Sequence, residues 1–370
     1  MRKPIHYFAH LLNDYSGSPR ITNERILQYH SLGKNVFIIT NDNHGFIDTS
    51  SYPHHFIPYK KDKNKFIWML RLIVWYTLAL LYILRKVKKN DVFHASTLLT
   101  APLFIAAKVK GCYCVSHIME TSIRPFFFLS FLKACQKLAD KNIFLSRYVS
   151  SMYPKNSRMN LVTYPCISPL IFSSGEMFLK DKVIIKQDTF KIGLICSLSV
   201  YKGYHNFIRL ATLSLGQNLE YFLIINGEEK SFYSLIDGMA IPNNLKVYFN
   251  IKDVSLKLQQ LSLLISLTQR KSWIETFGLT LVEAMAFGIP VIAPSIGAPL
   301  EYIEANQNGF TCDEENLDQI FGIIQKVAND HSLYQSLSEG ARETALRFNP
   351  NNWQAEIEKE ICFIEQRQSQ

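Results

Sequence analysis

Short apolar runs alternate along this chain with longer stretches whose apolar positions recur at helical spacing, and the alternation sets the fold class before any single residue is weighed. Pro4 to Ala9 reads as a short strand, Asn13 to Arg20 (NDYSGSPR) as a loop, and Ile21 to Leu32 as a helix that stops at Gly33. NVFIIT, Asn35 to Thr40, then has the length and apolarity of a buried strand and completes the opening of a βαβ unit. Asp91 to Ala95, Tyr113 to His117 and Asn142 to Leu145 continue the pattern, each separated from the last by a helical stretch. A second series begins at Lys191. Lys191 to Leu198, Tyr221 to Asn226, Leu245 to Asn250, Leu261 to Leu267 and Ile289 to Pro294 are again strands between helices. This order predicts an α/β protein with two doubly wound, Rossmann-like domains facing each other across a cleft, where the carboxyl ends of both sheets meet. The polar, strand-poor stretch Ser168 to Thr189 is the expected linker.

Length agrees with two domains, since 370 residues exceed the roughly 250 to 300 at which single cores stop growing. With 48% apolar and only 19% charged residues, the chain has the material for packed cores and lies outside the disordered and low-complexity classes. Its seven cysteines contain no CxxC pair, so free thiols in a reducing compartment are expected. The first apolar run is broken by His6, His10, Asn13 and Asp14, which argues against a signal peptide and for the cytoplasm.

The net charge of +9 is concentrated. Between Tyr59 and Asp91 stand nine basic and two acidic residues, and between the basic flanks lies FIWMLRLIVWYTLALLYIL, Phe66 to Leu84. As a helix these residues reach about 28 Å, enough to span a bilayer. Arg71 inside the run and basic residues on both flanks count against spanning, leaving two compatible readings: a buried helix, and one resting on an anionic membrane surface. Nucleic acid is not an expected partner, because the basic residues flank an apolar helix instead of lining a polar, aromatic-studded groove.

Candidate chemistry lies in Trp273 to Pro294, WIETFGLTLVEAMAFGIPVIAP. An acidic loop leads into the helical run LVEAMAF, which Gly288 stops, so Glu275 precedes the helix and Glu283 lies within it. A helix N-terminus holds phosphate, and nearby carboxylates accept hydrogen bonds from hydroxyls. Phosphate with hydroxyls describes a nucleotide sugar. A capping Glu275 and a salt-bridged Glu283 are the commoner fates of such residues.

This segment resembles the E-x7-E signature of retaining GT-B glycosyltransferases of the family 4 type (glycosyl transferases group 1), with Glu275 and Glu283 as the acidic pair and Phe277 and Gly278 as its FG. Ser295 to Asp313 resembles that family's GGxxE and NG stretch, with Gly297, Glu301, Asn308 and Gly309 at matching places, and Ser197 to Ala211 resembles the segment bearing its donor-phosphate lysine, here Lys202. The resemblance implies an acceptor-binding domain over 1–168, to which a helix within 351–370 crosses back, and a donor-binding domain over 169–350. It implies catalytic roles for His117, Glu275 and Lys202. Gly17, Lys202, Glu275, Thr276, Phe277, Gly278, Leu279 and Glu283 would bind the donor, with Lys202 at the diphosphate, Glu283 at the ribose and Glu275 at the transferred sugar. Glu120 follows His117 closely, Ser146 matches a family serine, and base contacts are expected near Asn250 to Asp253.

Bond breaking at the anomeric carbon develops negative charge on phosphate, which a lysine and a helix N-terminus can stabilise without metal or other cofactor. The sequence departs from the family at Cys196 and Ser197, where Gly-Arg is usual, and at Cys166, where asparagine is usual. Arg20, Arg124 and Arg147 are candidates for the missing second cation. The expected activity is metal-independent, retaining hexosyl transfer from a nucleotide diphosphate sugar to a glycan or lipid-linked acceptor in surface polysaccharide or lipopolysaccharide synthesis. The enzyme would be cytoplasmic and peripheral on the inner membrane face through residues 59–91. A nucleotide-sugar 2-epimerase and a catalytically silent binding protein of the same fold are the alternatives.

Overall fold

Thirteen strands, all parallel to their neighbours, form two sheets in a computed structural model that describes residues 2–62, 64–121, 126–155, 159–180 and 189–366. The chain divides into two units, Met1–Pro165 with Trp353–Gln370, and Cys166–Asn352.

The first sheet contains β1 (Ile5–Ala9), β2 (Asn35–Thr40), β3 (His54–Phe56), β4 (Val92–Ala95), β5 (Tyr113–Ile118), β6 (Lys141–Phe144) and β7 (Asn160–Val162), ordered β3-β2-β1-β4-β5-β6-β7. The second contains β8 (Phe190–Ser197), β9 (Leu219–Asn226), β10 (Leu245–Phe249), β11 (Leu263–Ile265), β12 (Val291–Pro294) and β13 (Gly309–Cys312), ordered β10-β9-β8-β11-β12-β13. Strand order reverses between β1 and β4 in one and between β8 and β11 in the other. Such switch points open a crevice at the carboxyl ends, where doubly wound sheets bind ligands.

The loop expected at Asn13 to Arg20 is shorter than its sequence implied, because the helix Gly17–Ser31 starts four residues before Ile21. Pro19 is no obstacle there, since first-turn N–H groups have no partner inside a helix. The expected linker is also corrected. Within it, Pro169–Lys180 is a helix of the second unit, and Gly175 passes so close to another segment that a Cβ would lie 2.5 Å from the Ala286 carbonyl oxygen. Residues 181–188 of that stretch lie outside the described residues.

The helix Lys65–Lys86 is capped by the Asn64 side chain, which accepts from the backbone N–H groups of Phe66 and Ile67. Leu72, Trp75, Ala79 and Ile83, at spacings of three and four, are buried with Phe93 and Phe104 in the core of the first unit. Phe66, Leu70, Ile73, Leu78, Leu81 and Leu84 remain exposed. By length and composition the helix could cross a membrane, with a mean hydropathy of 1.9, yet one stripe of it is core.

The closing helix Pro350–Glu365 brings Glu360 into the first unit. There the Arg25 guanidinium stands 3.2 Å from its carboxylate, with both side chains almost wholly buried, and Tyr29 Oη donates to it at 2.8 Å.

Candidate active site

The second sheet's switch point carries the charged pair. β8 ends at Ser197, a short turn Val200–Lys202 follows, and Gly203 enters the helix Tyr204–Leu213 with φ of 81°. Only glycine fits there, because a Cβ would meet the Leu267 carbonyl oxygen at 2.1 Å. Lys202 is thereby fixed just ahead of a helix N-terminus. From the loop after β11, Glu275 meets it: Lys202 Nζ donates to Glu275 Oε2 at 2.9 Å, and Thr268 Oγ1 donates to the same oxygen at 3.1 Å.

Both side chains are mostly shielded, at 22% and 15% exposure. Burial works to raise the Glu275 pKa, but the Lys202 charge and the hydrogen bonds from Lys202 and Thr268 prevail and hold it below the ordinary carboxylate range. Burial likewise opposes the Lys202 charge, and Glu275 prevails, raising the ammonium above its ordinary value. The pair is ionised at neutral pH.

The loop around Glu275 is built closely. Gly297, with φ of 97°, lets its backbone approach so far that a Cβ would lie 2.4 Å from the Glu275 carbonyl oxygen, and Ala298 N–H donates to that oxygen at 3.0 Å. Tyr302 Oη donates to the Phe277 carbonyl at 2.6 Å, and the Phe277, Tyr302 and Phe348 rings pack at 5.3 to 5.6 Å. Thr276 and Phe277 are buried, Gly278 takes φ of 89° and Leu279 opens the seven-residue helix Leu279–Met285, in which Glu283 is buried. The E-x7-E pair therefore consists of one carboxylate at the switch point and one inside the following helix. Asn308 proves to be a clamp, its amide donating at 2.7 Å to both the Tyr302 carbonyl and Thr344 Oγ1. Asn250, with φ of 49°, exchanges two 3.0 Å hydrogen bonds with the Gly227 backbone, tying the loops after β9 and β10.

In the first unit, Gly17 is the first residue of the helix after β1, and His10 at the end of β1 reaches Ser18 Oγ at 3.1 Å. His117 is the fifth residue of β5 and is buried, with Nε2 2.9 Å from His94 Nδ1. Glu120 accepts from the backbone N–H groups of Leu98 and Met119, joining the loops after β4 and β5; burial outweighs those bonds and lifts its pKa to about 7. Ser146 caps the helix Arg147–Ser151, accepting from Val149 N–H at 3.2 Å. Arg20 packs over the Phe46 ring, and Arg124 lies outside the described residues.

Sequence reasoning missed Thr268 and Arg270. Arg270 Nε donates at 3.1 Å to both oxygens of the buried Glu314 carboxylate, its Nη2 lies 3.2 Å from Asp313, and these groups cluster beyond β11 and β13. A basic residue in the β11 loop with three consecutive acids after β13, Asp313 to Glu315, was the available signal. So compensated, Arg270 ties the loop after β11 to the segment after β13.

Residues 177–344 match the family model described as Glycosyl transferases group 1. An uncharacterized glycosyltransferase of Haemophilus influenzae is 25% identical over 207 residues, 55% of this chain and 56% of that protein, so the match spans about half of that relative's length. The capsular polysaccharide biosynthesis glycosyltransferase CapM of Staphylococcus aureus is 21% identical over 327 residues, 83% of this chain and 84% of CapM. Among solved structures, Anabaena HepE in complex with UDP superposes with a TM-score of 0.76 at 16% identity, covering 97% of this chain and 99% of HepE. At that identity the likeness is one of fold: two Rossmann-like units in the GT-B class.

Proposed function

We propose that this chain, which belongs to the glycosyl transferases group 1 family through residues 177–344, transfers a sugar from a nucleoside diphosphate donor to a glycan or lipid-linked acceptor. The observation that carries the reading is the ionised Lys202–Glu275 pair at the switch point of the second sheet, ahead of a helix N-terminus. A diphosphate entering there exchanges one anionic partner of Lys202 for another. As the glycosidic bond to the leaving phosphate lengthens, negative charge grows on oxygens that the ammonium already faces, and this difference between ground and transition state lowers the barrier. Glu275, released from Lys202 and steadied by Thr268, accepts hydrogen bonds from the hydroxyls of the transferred sugar. Glu283 takes the ribose hydroxyls, and the backbone of Thr276 to Leu279 completes the donor contacts. The ammonium serves where other transferases place a metal ion.

We read the transfer as retaining, by departure of the phosphate and attack of the acceptor on one face of an oxocarbenium-like sugar, with His117 at the reacting sugar and Gly17 close to the diphosphate. A uridine nucleotide is the first donor to test, because HepE is described in complex with UDP. Surface polysaccharide synthesis is the favoured setting, since CapM is described as a capsular polysaccharide enzyme.

For the acceptor we favour a membrane-bound intermediate. The exposed apolar face of Lys65–Lys86, with Lys60, Lys61, Arg85, Lys86, Lys88 and Lys89 at its ends, suits the cytoplasmic surface of an anionic bilayer.

A metal-free thermal-shift screen against UDP, GDP, ADP and their sugar conjugates tests the donor reading, because a ligand of the folded state raises the melting temperature by mass action. A selective rise with one nucleotide supports it. A flat response from a folded sample overturns it in favour of a silent GT-B binding protein.

A further inference from the structure

Two buried histidines of the first sheet have no part in the proposed reaction as described so far. His6 of β1, His94 of β4 and His117 of β5 share one face, because strand register sets His94 beside Phe8 and Val115, and His6 and His117 stand two residues from those neighbours. The three rings climb from the second residue of β1 to the fifth of β5, toward the carboxyl edge of the sheet. His6 Nδ1 lies 3.0 Å from His94 Nε2, and His94 Nδ1 lies 2.9 Å from His117 Nε2. Phe8 stacks on His94 at 4.2 Å, and Tyr29 meets His6 and His94 edge-on at 5.2 and 5.3 Å. Burial first, then the neighbouring rings and the charges of Arg25 and Lys34, keeps all three imidazoles neutral, with His6 pushed down to about 3. The outer nitrogens, His6 Nε2 and His117 Nδ1, have no hydrogen-bond partner among the described residues.

Counting protons restricts the chain to two states. Each neutral ring carries one N–H, and each of the two contacts needs one donor and one acceptor. If His6 donates from Nδ1, His94 accepts at Nε2, must donate from Nδ1, and leaves His117 protonated at Nδ1. If His117 donates from Nε2, the same logic runs backward and leaves all three protonated at Nε2. Mixed tautomers break a buried hydrogen bond, which costs on the order of 1 to 3 kcal/mol.

We propose that His94 and His6 are positioning residues that set the tautomer of His117, so that its one unpartnered nitrogen, the buried Nδ1, is presented as donor or acceptor according to the whole chain. This rests on the transferase reading only for the identity of the ligand, a sugar hydroxyl. Histidines orient one another here as a carboxylate orients the histidine of a catalytic triad. A purely structural layer of β-strand side chains would be apolar, since buried imidazoles stay expensive unless hydrogen-bonded.

The test is a long-range proton–nitrogen correlation spectrum of the full chain, labelled with 15N-histidine at neutral pH, with signals assigned from single His→Phe variants. One shared tautomer for His6, His94 and His117 is expected, and in His94→Phe, whose ring can still stack on Phe8, the His117 signals move to a mixed or opposite tautomer. Should His94→Phe not fold, His6→Phe at the chain's end gives the same readout. With a working donor and acceptor, His94→Phe should lower kcat about tenfold or more with donor KM unchanged, as a wrong-tautomer variant does. His94→Gln, whose amide can accept at one side and donate at the other, restores part of that loss. Different tautomers among the three rings, or unchanged His117 signals in a folded His94→Phe, overturn the proposal. If the tautomers are shared and none of UDP, GDP, ADP or their sugar conjugates stabilises the protein, the relay stands and the transferase reading fails.

Discussion

The two units handle buried ionisable groups in opposite ways. Four histidines of the first unit, His6, His10, His94 and His117, are buried and held neutral, and its deeply buried ion pair of Arg25 with Glu360 is sealed from solvent. In the second unit Lys202 and Glu275 stay charged and partly open at the mouth of the sheet. A neutral interior suits hydroxyl recognition, where one proton more or less decides between donor and acceptor. An open ion pair suits a ligand that brings its own charge and displaces one member.

Glu360→Leu should break this contrast most severely. It strands the buried Arg25 guanidinium and should destabilise the first unit by about 3 to 5 kcal/mol in chemical denaturation, whereas replacing Arg25 and Glu360 together by apolar residues should recover most of the loss. Lys202→Ala comes next. A drop of about 100-fold in kcat, or about 2.7 kcal/mol of transition-state stabilisation, is expected together with a lower melting temperature, because the shielded Glu275 carboxylate loses its cation, and intact turnover would remove Lys202 from its role. Asn308→Ala should cost about 1 to 3 kcal/mol by leaving the buried Tyr302 carbonyl and Thr344 hydroxyl short of a donor, read as a lower melting temperature.

Acid separates the two designs along the pH axis. The buried histidines have folded-state pKa values below their unfolded value near ~6.5, so the unfolded chain takes up protons that the fold refuses, and stability falls as pH drops below that point. Glu275 is depressed, so its stabilisation is complete above the unfolded carboxylate value near ~4.3 and is lost only as pH falls through the lower folded value. Melting scans from pH 8 to 4 should show the first unit weakening before the second. A single transition with no loss above pH 5 would contradict the neutral histidine layer. The smallest effect is reserved for the surface: Leu78→Glu with Leu81→Glu on the exposed face of Lys65–Lys86 should lower co-sedimentation with anionic vesicles about tenfold and leave denaturant stability within about 0.5 kcal/mol.

How much of this was legible follows from burial. The sheets' central strands are apolar runs flanked by glycine and helix stops, and the sequence pattern finds them within a few residues. The strands it misses, β3, β7 and β13, are all at sheet edges and only three or four residues long, and they carry polar residues such as His54, Asn160 and Thr311. Pro169–Lys180 escaped notice because two serines and a glycine dilute its apolar stripe, although that glycine is what allows close packing. At the site, Lys202 and Glu275 were visible in their segments, but their pairing joins residues 73 positions apart, and neither Thr268 nor the histidine relay has any local signature. Register between strands, which no single segment encodes, brings those groups together.

The closing helix also orders events in time. Arg25 and Tyr29 are synthesised long before the carboxylate that completes them, which belongs to Glu360, 331 positions beyond Tyr29. The second unit, Cys166–Asn352, has its whole sequence available earlier than that, so it can finish folding while the N-terminal unit still holds an unpaired guanidinium. Part of the first unit is thus made before the second unit and completed after it, and a chain that stops short of Pro350–Glu365 leaves the first unit, to which Glu360 belongs, without that carboxylate.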